Sequence, residues 1–375
     1  MSFEIGPIRP PSEAASLLIR ATRNCPWNRC RFCITYKGTQ FSRRPVEEIK
    51  ADIAQVKIIS ERIREISHQL KSDGHITAAV ANRALREGGE SFYHVARWLY
   101  CGGETVFLQD ANSLLLKTGE LVEILNFLKE CFPHVTRVTT YARASTVVRK
   151  TVEELASLRA AGLSRIHVGM ESGCDEVLAY MEKGTTAGQL VEAGRKIKAA
   201  GISPCYYIIL GLGGKRWAHQ HPVETAKVLA GAEPDFIRLR TMAVMPGTAL
   251  YELAARGDFQ PLTEDETVSE EKVLLEHLGG VDSCLVSDHA LNLLEEVRGH
   301  LLTDREKMLD VINRYLALPD EQRLNFRLGK RAGVYRRLDD MQNRQRYGEV
   351  AGEQARLTAE GRLEEAISSL QKQFL

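Results

Sequence analysis

No apolar run in this chain of 375 residues approaches the ~18 residues that a membrane-spanning helix requires. An excess of charge of one sign is also missing. Fifty Lys and Arg stand against 49 Asp and Glu, a net +1, so the molecule's overall field gives no push toward nucleic acid or an anionic membrane. Met1–Ala15 lacks the basic-then-apolar pattern of an export signal. A cytoplasmic location with no membrane partner is therefore expected. Cysteine is sparse, eight in all, and Cys101, Cys131, Cys174, Cys205 and Cys284 stand singly. In a chain without an export signal these read as reduced and mostly buried. A disulfide framework belongs to much shorter secreted domains. The rest of the composition, 44% hydrophobic and 26% charged with no low-complexity tract, fits a folded chain of one large domain or two ordinary ones.

The other three cysteines crowd into nine residues, Cys25-Pro-Trp-Asn-Arg-Cys30-Arg-Phe-Cys33. Thiolates are soft ligands suited to zinc or to iron–sulfur clusters. A structural zinc site needs a fourth ligand close by. The next cysteine is Cys101, and no histidine lies between Cys33 and His68. An iron–sulfur cluster held by three cysteines, with one iron open to a ligand, is the better reading.

From residue 16 to about 250, short strand-like runs alternate with amphipathic helical patterns. The runs are Ser16–Thr22, Val106–Gln109, Val135–Tyr141, Arg165–Gly169, Pro204–Leu210 and Phe236–Ala243. Helical patterns cover Gly119–Cys131, Val152–Ala161 and Gly188–Ala200. Such alternation predicts a parallel sheet with helices outside it. Six strands fall short of the eight of a closed barrel, so the expected fold is α/β, a partial (β/α)₆ TIM-like barrel. The cysteines follow the first strand, which puts them on a loop at the carboxyl edge of the sheet, where ligands of such folds bind.

Ile49, Ile53, Val56, Ile59, Ile63, Ile66 and Leu70 recur at helical spacing. Residues 45–100 thus read as a helical insertion after strand one, with two weaker patterns at Thr77–Glu87 and Ser91–Tyr100. The stripe either packs on the barrel wall or pairs two copies through the 45–70 helix. After about residue 255 the strand signals stop. Leu285–Leu302, Glu306–Leu318 and Leu357–Leu375 read as helices, so the expected division is a barrel at 1–255 and an α-helical region at 256–375. His289 and Asn292 fall at the start of an expected helix, as cap neighbours or as substrate contacts. Arg323–Arg346 carries Lys and Arg with only Asp339 and Asp340 against them. It reads as a solvated face or as a contact for an anionic substrate such as RNA, though aromatic residues between the charges are few.

Three cysteines after a first strand, with Phe32 before the last, resemble the radical S-adenosylmethionine (radical SAM) enzymes. Later landmarks fall in the same order: Val106–Asn112, Tyr141-Ala-Arg143, the His167–Gly173 segment HVGMESG, Ile209–Gly214 and Arg238–Gly247. The His167–Gly173 segment is similar to the fourth-strand segment of the Elp-type and oxygen-independent coproporphyrinogen oxidase-like subgroup. The family's commoner spacing has three residues between the first two cysteines, where this chain has four. Gly102-Gly-Glu104 precedes the second strand and reads as a turn into it.

The resemblance implies a 4Fe-4S cluster on Cys25, Cys30 and Cys33 and S-adenosylmethionine as cofactor. It also implies an electron donor such as flavodoxin or ferredoxin. The substrate is expected to be a small molecule, with RNA or a protein side chain as the other reading and a non-catalytic metal scaffold as the third. By the same resemblance Gln109, Asp110 and Asn112 fall where the methionine amino group is contacted. Arg143 is suited to the methionine carboxylate or to a surface ion pair. Glu171 is suited to the methionine ammonium or the ribose, or is satisfied by neighbouring amides. Gly211, Gly213 and Gly214 either allow approach to the adenine or simply make a tight turn.

Overall fold

The computed structural model describes residues 1–373 and has an α/β fold built on a mostly parallel sheet. Its strands follow the order β1-β4-β5-β6-β7-β8-β9-β10, as expected for a partial barrel wound in chain order. The chain divides into two compact units, residues 1–169 with 192–205, and residues 170–191 with 206 onward.

The first unit begins with β1 (Leu17–Arg20), β2 (Thr22–Arg23), β3 (Ser42–Arg43), α1 (Val46–Gln69) and α2 (Ala78–Tyr100). It continues through β4 (Thr105–Gln109), α3 (Thr118–Cys131), β5 (Arg137–Ala142), α4 (Ala144–Val147) and α5 (Val152–Ala161). β6 (Leu163–Glu171) starts here, and α7 (Ala187–Ala199) and β7 (Ser203–Leu210) contribute residues as well. β1, β4, β5 and β6 pair in parallel. Buried on both faces, β4 is accordingly a continuous apolar run, with Val106, Phe107 and Leu108 almost inaccessible. Helix α5 opens with a capping box, in which Thr151 accepts from the Glu154 amide and Glu154 accepts from the Thr151 amide.

The insertion folds as an antiparallel-type helical pair, broken where expected. Gly89 leaves helical geometry at φ 67° and splits α2 between the two anticipated patterns. Ile49, Ile53, Val56, Ile59, Ile63 and Ile66 are fully buried, because α1 packs on α2, α3 and β1. Six of the seven stripe residues are thus taken up by packing within the chain, the first of the two readings, while Leu70 at the end of the stripe is 43% exposed. Gly102 and Gly103, both at positive φ, make the turn into β4.

The insertion also protects the outer edge of β1. The Leu18 N–H donates to His94 Nε2 at 3.1 Å, so an edge amide that would otherwise be unpaired has an acceptor. Burial, then the charges of Arg9 and Arg97, push His94 down to about 4. An unfolded imidazole takes up a proton near pH 6.5 while the folded one stays neutral. Stability is thus intact above pH 6.5 and falls as pH drops toward 4, by as much as about 3 kcal/mol. Urea unfolding at pH 7 and 4.5 checks this, and the slope should flatten in His94→Gln.

The second unit holds the end of β6, α6 (Asp175–Tyr180), most of β7, α8 (Gln220–Ala232), β8 (Phe236–Thr241), α9 (Ala249–Ala255) and α10 (Glu264–Glu276). After these come β9 (Cys284–Val286), β10 (Gly299–His300), α11 (Leu301–Leu316), α12 (Asp320–Arg331), α13 (Arg344–Ala359) and α14 (Leu363–Lys372). Strand formation does not stop at residue 255. β9 adds in parallel to β8, with Ile237 opposite Leu285, and β10 pairs back on β9. The helix expected over Leu285–Leu302 is absent. Its leucines have helical spacing, yet Leu285, Leu291, Leu293 and Leu294 reach the core from strand and loop backbone instead. His289 and Asn292 consequently sit in a loop. The final helix expected over Leu357–Leu375 is split at Gly361 (φ 66°) into α13 and α14; Phe374 and Leu375 lie outside the described residues.

The basic run Arg323–Arg346 is only partly a solvated face. Arg327 and Arg331 both donate to Glu264 at the start of α10, Arg323 pairs with Asp265, and Lys330 with Glu295. Arg331 and Lys330 are buried. Long separation in sequence hides these acidic partners from any reading of the run alone.

Candidate functional site

In the first unit, β2 and β3 form a two-stranded hairpin, with Thr22 opposite Arg43 and Arg23 opposite Ser42. Residues 24–41 are its irregular tip, directly beyond the carboxyl end of β1. All three cysteines lie on this tip as free thiols, Cys30 buried and Cys25 and Cys33 half-buried. Asn28 adopts φ +46°, a conformation that Asn tolerates better than most residues. Its amide donates to Cys25 Sγ at 3.4 Å, and its side chain donates to the Tyr36 carbonyl at 2.5 Å. The left-handed turn at Asn28 thus takes up the four-residue gap between Cys25 and Cys30.

The base of the tip is held by ions. Asp110 accepts from Arg20 Nε at 2.9 Å and Nη2 at 2.6 Å, and from the Asn24 amide at 3.1 Å. Arg20 and Arg23 both reach Glu4, and Arg44 reaches Asp52. The Arg23 hydrogen bond, with Arg44 and Arg20 nearby, holds Glu4 below the usual carboxylate range. Burial, then Asp110, drives the Tyr36 hydroxyl upward, so it stays protonated. Asp110→Ala would remove two of the hydrogen bonds of the largely buried Arg20 guanidinium, leaving it Glu4 and Asn24. We expect it to cost about 3 kcal/mol, read by chemical denaturation, and to loosen the tip, read as faster proteolysis between residues 24 and 41.

The other residues expected at this edge are already engaged. Gln109 is fully buried and clamps the N-terminal segment, accepting from Gly6 N and donating to the Gly6 and Ile8 carbonyls. Asn112 donates to Thr146 Oγ1 at 2.8 Å and accepts from the Arg143 amide. These two side chains position backbone. Arg143 lies over Trp27 at 5.0 Å from the ring centroid, and Arg29 at 5.1 Å, so Trp27 ties the cysteine tip to the end of β5. His167 is fully buried against Glu13 at 3.3 Å, a structural pair.

In the second unit, Glu171 closes β6 at φ 66° and accepts from Lys183 at 2.9 Å. Ser172 caps the next turn through the Cys174 amide. At Gly173 a Cβ would fall 2.6 Å from the Glu224 carbonyl and from the Thr225 Cα, so glycine is required there by the approach of α8. After β7, Gly211 (φ 79°) donates its amide to Glu270, and Gly213 backs onto Trp217 and His221. Glu270 also bonds His221 Nδ1 at 2.7 Å. Glu270 was missed by sequence reasoning because a single acidic residue in an amphipathic helix carries no signal. The neighbouring Glu271 is buried, and that burial, with Glu296 and Glu270 close by, pushes it up to about 8.

The donor set on the tip suits a thiolate-ligated cluster. Three free thiols are present, an N–H already points at one sulfur, and Asn24–Arg44 contains no acidic residue. Among the described residues, no three His, Cys, Asp or Glu side chains are gathered closely enough to hold a metal ion.

Among known proteins, an uncharacterized protein of Methanocaldococcus jannaschii is 30% identical over 113 residues, 30% of this chain and 34% of that one. The tRNA uridine(34) acetyltransferase of the same organism is 23% identical over 118 residues, 31% of this chain and 22% of its own length. The chain therefore spans about a third or less of these curated relatives. Two solved structures are similar at low identity. The archaeal Methanocaldococcus infernus Elp3 aligns at 15% identity and TM-score 0.42, over 56% of this chain and 53% of that one. The Escherichia coli coproporphyrinogen III oxidase HemN, titled a radical SAM enzyme, aligns at 15% and TM-score 0.44, over 70% and 52%. A family model described as the radical SAM superfamily matches residues 19–225, more than half the chain, and takes in the cysteine tip, β4, β5, β6 and the glycine turn after β7. By that match, in keeping with its three-thiol loop at the mouth of a parallel sheet, the chain belongs to the radical SAM superfamily and is an enzyme.

Proposed function

We propose that Cys25, Cys30 and Cys33 hold a 4Fe-4S cluster and that the enzyme uses it with S-adenosylmethionine to abstract hydrogen from a small-molecule substrate. One observation carries the reading, namely three free thiols on one hairpin tip beyond β1, inside the family match. When bound, such a cluster supplies one electron that breaks the sulfonium–C5′ bond of S-adenosylmethionine, giving methionine and a 5′-deoxyadenosyl radical. An external one-electron donor of the ferredoxin or flavodoxin class must supply that electron.

The protein's contribution lies in its own residues. Asp110, Arg20 and Asn24 fix the base of the tip. The Asn28 amide offers a hydrogen bond to the Cys25 sulfur, and such bonds tune cluster potential. Arg29, Arg31 and Lys37 are basic residues of the tip, next to the cysteines in sequence. Arg143 and Glu171 remain the proposed contacts for the carboxylate and ammonium of the methionine moiety. Glu171 would have to exchange Lys183 for that ligand. Gly211 and Gly213 remain the proposed backbone neighbours of the purine. Residues 1–255 are the proposed catalytic portion and 256–375 an appended region, supported by the end of the family match at 225.

Anaerobic reconstitution tests the reading. About four irons per chain, and 5′-deoxyadenosine released on reduction with S-adenosylmethionine, support it. Stoichiometric zinc with no such product sinks it. RNA as substrate is a second reading, favoured by the name of the acetyltransferase relative. The internal pairing of Arg323, Arg327, Lys330 and Arg331 weighs against it. Salt-sensitive retention of tRNA that is lost on neutralising Arg336 and Arg337 would favour it.

A further inference from the structure

The family match ends at residue 225, yet the sheet of the second unit continues through β8 and β9. β9 lies parallel to β8 with Val286 opposite Arg238. Thr241 and the segment Ser287–Asn292 therefore emerge at the same carboxyl edge, where ligands of parallel sheets bind. The face is fixed by alternation. The Tyr206 hydroxyl donates to the Leu190 carbonyl of α7 at 2.6 Å, so Tyr207 turns to the face opposite α7. On β8, Ile237 and Leu239 are fully buried, and Arg238 and Arg240 point the other way. Arg240 lies 4.8 Å from the Tyr207 ring centroid, on that same opposite face.

The two arginines differ in what they meet. Arg238 is neutralised by Asp288. No carboxylate among the described residues pairs with Arg240, whose guanidinium lies over the Tyr207 ring in a cation–π contact. Beside it, His289 Nδ1 accepts from the Thr241 amide at 3.4 Å, which leaves the ring proton on Nε2 as a donor. Burial, then the Arg240 charge, keeps this ring neutral, with a pKa pushed down to about 4. The loop that carries His289 is locked in place. Asn292 donates to the Leu239 carbonyl at 3.0 Å and to Ser287 Oγ at 2.8 Å, and accepts from Thr241 Oγ1 at 2.9 Å.

We infer that Arg240 and His289 form an oxyanion-binding pair that seats a carboxylate or phosphate group of the enzyme's substrate. As a substrate site, this rests on the function proposed above. A stacked guanidinium fork recognises a planar or tetrahedral oxyanion through two parallel hydrogen bonds. The neutral imidazole adds a third donor without repelling the arginine. Both residues lie outside the family match, where a chain-specific substrate contact belongs.

The experiment uses the full chain without cluster or S-adenosylmethionine, at constant ionic strength. Inorganic phosphate and acetate are titrated while the ring signal of His289, assigned with His289→Gln, is followed by NMR. Saturable shifts with a dissociation constant in the mM range are expected from at least one anion. Arg240→Gln should weaken binding at least tenfold, and Arg240→Lys, which keeps charge and loses the fork, severalfold. Thermal melts of both variants establish that they are folded. Tighter phosphate assigns a phosphoryl group and tighter acetate a carboxylate, and either supports the site. No shift of the ring up to about 100 mM, or unchanged binding in folded Arg240→Gln, overturns it. Because this readout needs no cluster, anion binding alongside failed 5′-deoxyadenosine release would sink the proposed radical chemistry alone. The reverse result would sink the oxyanion site alone.

Discussion

Replacing any one of Cys25, Cys30 and Cys33 by alanine should reduce iron after reconstitution from about four per chain to below one and abolish 5′-deoxyadenosine formation. The physical reason is the small donor set. The tip carries three thiols, and no other described side chains are gathered to substitute for one that is lost. The folded chain should survive the change. Cys25 and Cys33 are half-buried, so their alanine variants should lie within about 1 kcal/mol of the parent in unfolding experiments. Cys30, at 8% exposure, should lose somewhat more. Iron loss without unfolding separates a ligand role from a structural one. The exposed Cys101 is the control, and its serine variant should load iron fully. Full iron content in any of the three single variants would remove that residue from the ligand set.

Glu271→Gln should make the protein more stable at alkaline pH, by roughly 4 kcal/mol at pH 8 and above. Glu271 is buried, with Oε1 unpartnered and the carboxylates Glu270 and Glu296 nearby. In the folded chain it holds its proton up to about pH 8, whereas in the unfolded chain it ionises near 4.5. Between those values the folded state binds the extra proton. The native state thus loses stability as pH rises from 4.5 to 8, and glutamine, neutral throughout, removes the loss. Below pH 4.5 the variant and the parent should differ little. Chemical denaturation across pH 4 to 9 reads this directly, and a parallel pair of profiles would refute it. Between pH 4.5 and 6.5 this loss and the opposite slope from His94 roughly cancel, so these two groups leave a plateau there, with stability falling above pH 6.5 and below pH 4.5.

The barrel strands were legible in the sequence because a parallel strand buried on both faces is a short, nearly continuous apolar run. Val106–Gln109 and Pro204–Leu210 differ from the observed β4 and β7 by a single residue at one end. The long helix of the insertion was legible because apolar residues recur every three or four positions from Ile49 to Leu70. The segment Leu285–Leu302 misled for a related reason. Its leucines match a helical period, and only the pairing of Cys284–Val286 with β8, nearly fifty residues away, draws the chain into a strand.

At the candidate site, the sequence by itself determined the donor chemistry. Cysteine is the residue type that can hold an iron–sulfur cluster, and spacing in one loop needs no tertiary structure to be read. Tertiary structure alone decided which polar residues are free to act. Gln109 is engaged by the Gly6 and Ile8 backbone, and Asn112 by the Thr146 hydroxyl and the Arg143 amide. Asp110 became the anchor of the tip through Arg20. The basic run met its acids at Glu264 and Asp265, and Arg240 met none among the described residues. Local sequence fixes what a side chain can do; whether a charge is already neutralised depends on partners tens of residues distant, which only the folded chain brings within hydrogen-bonding range.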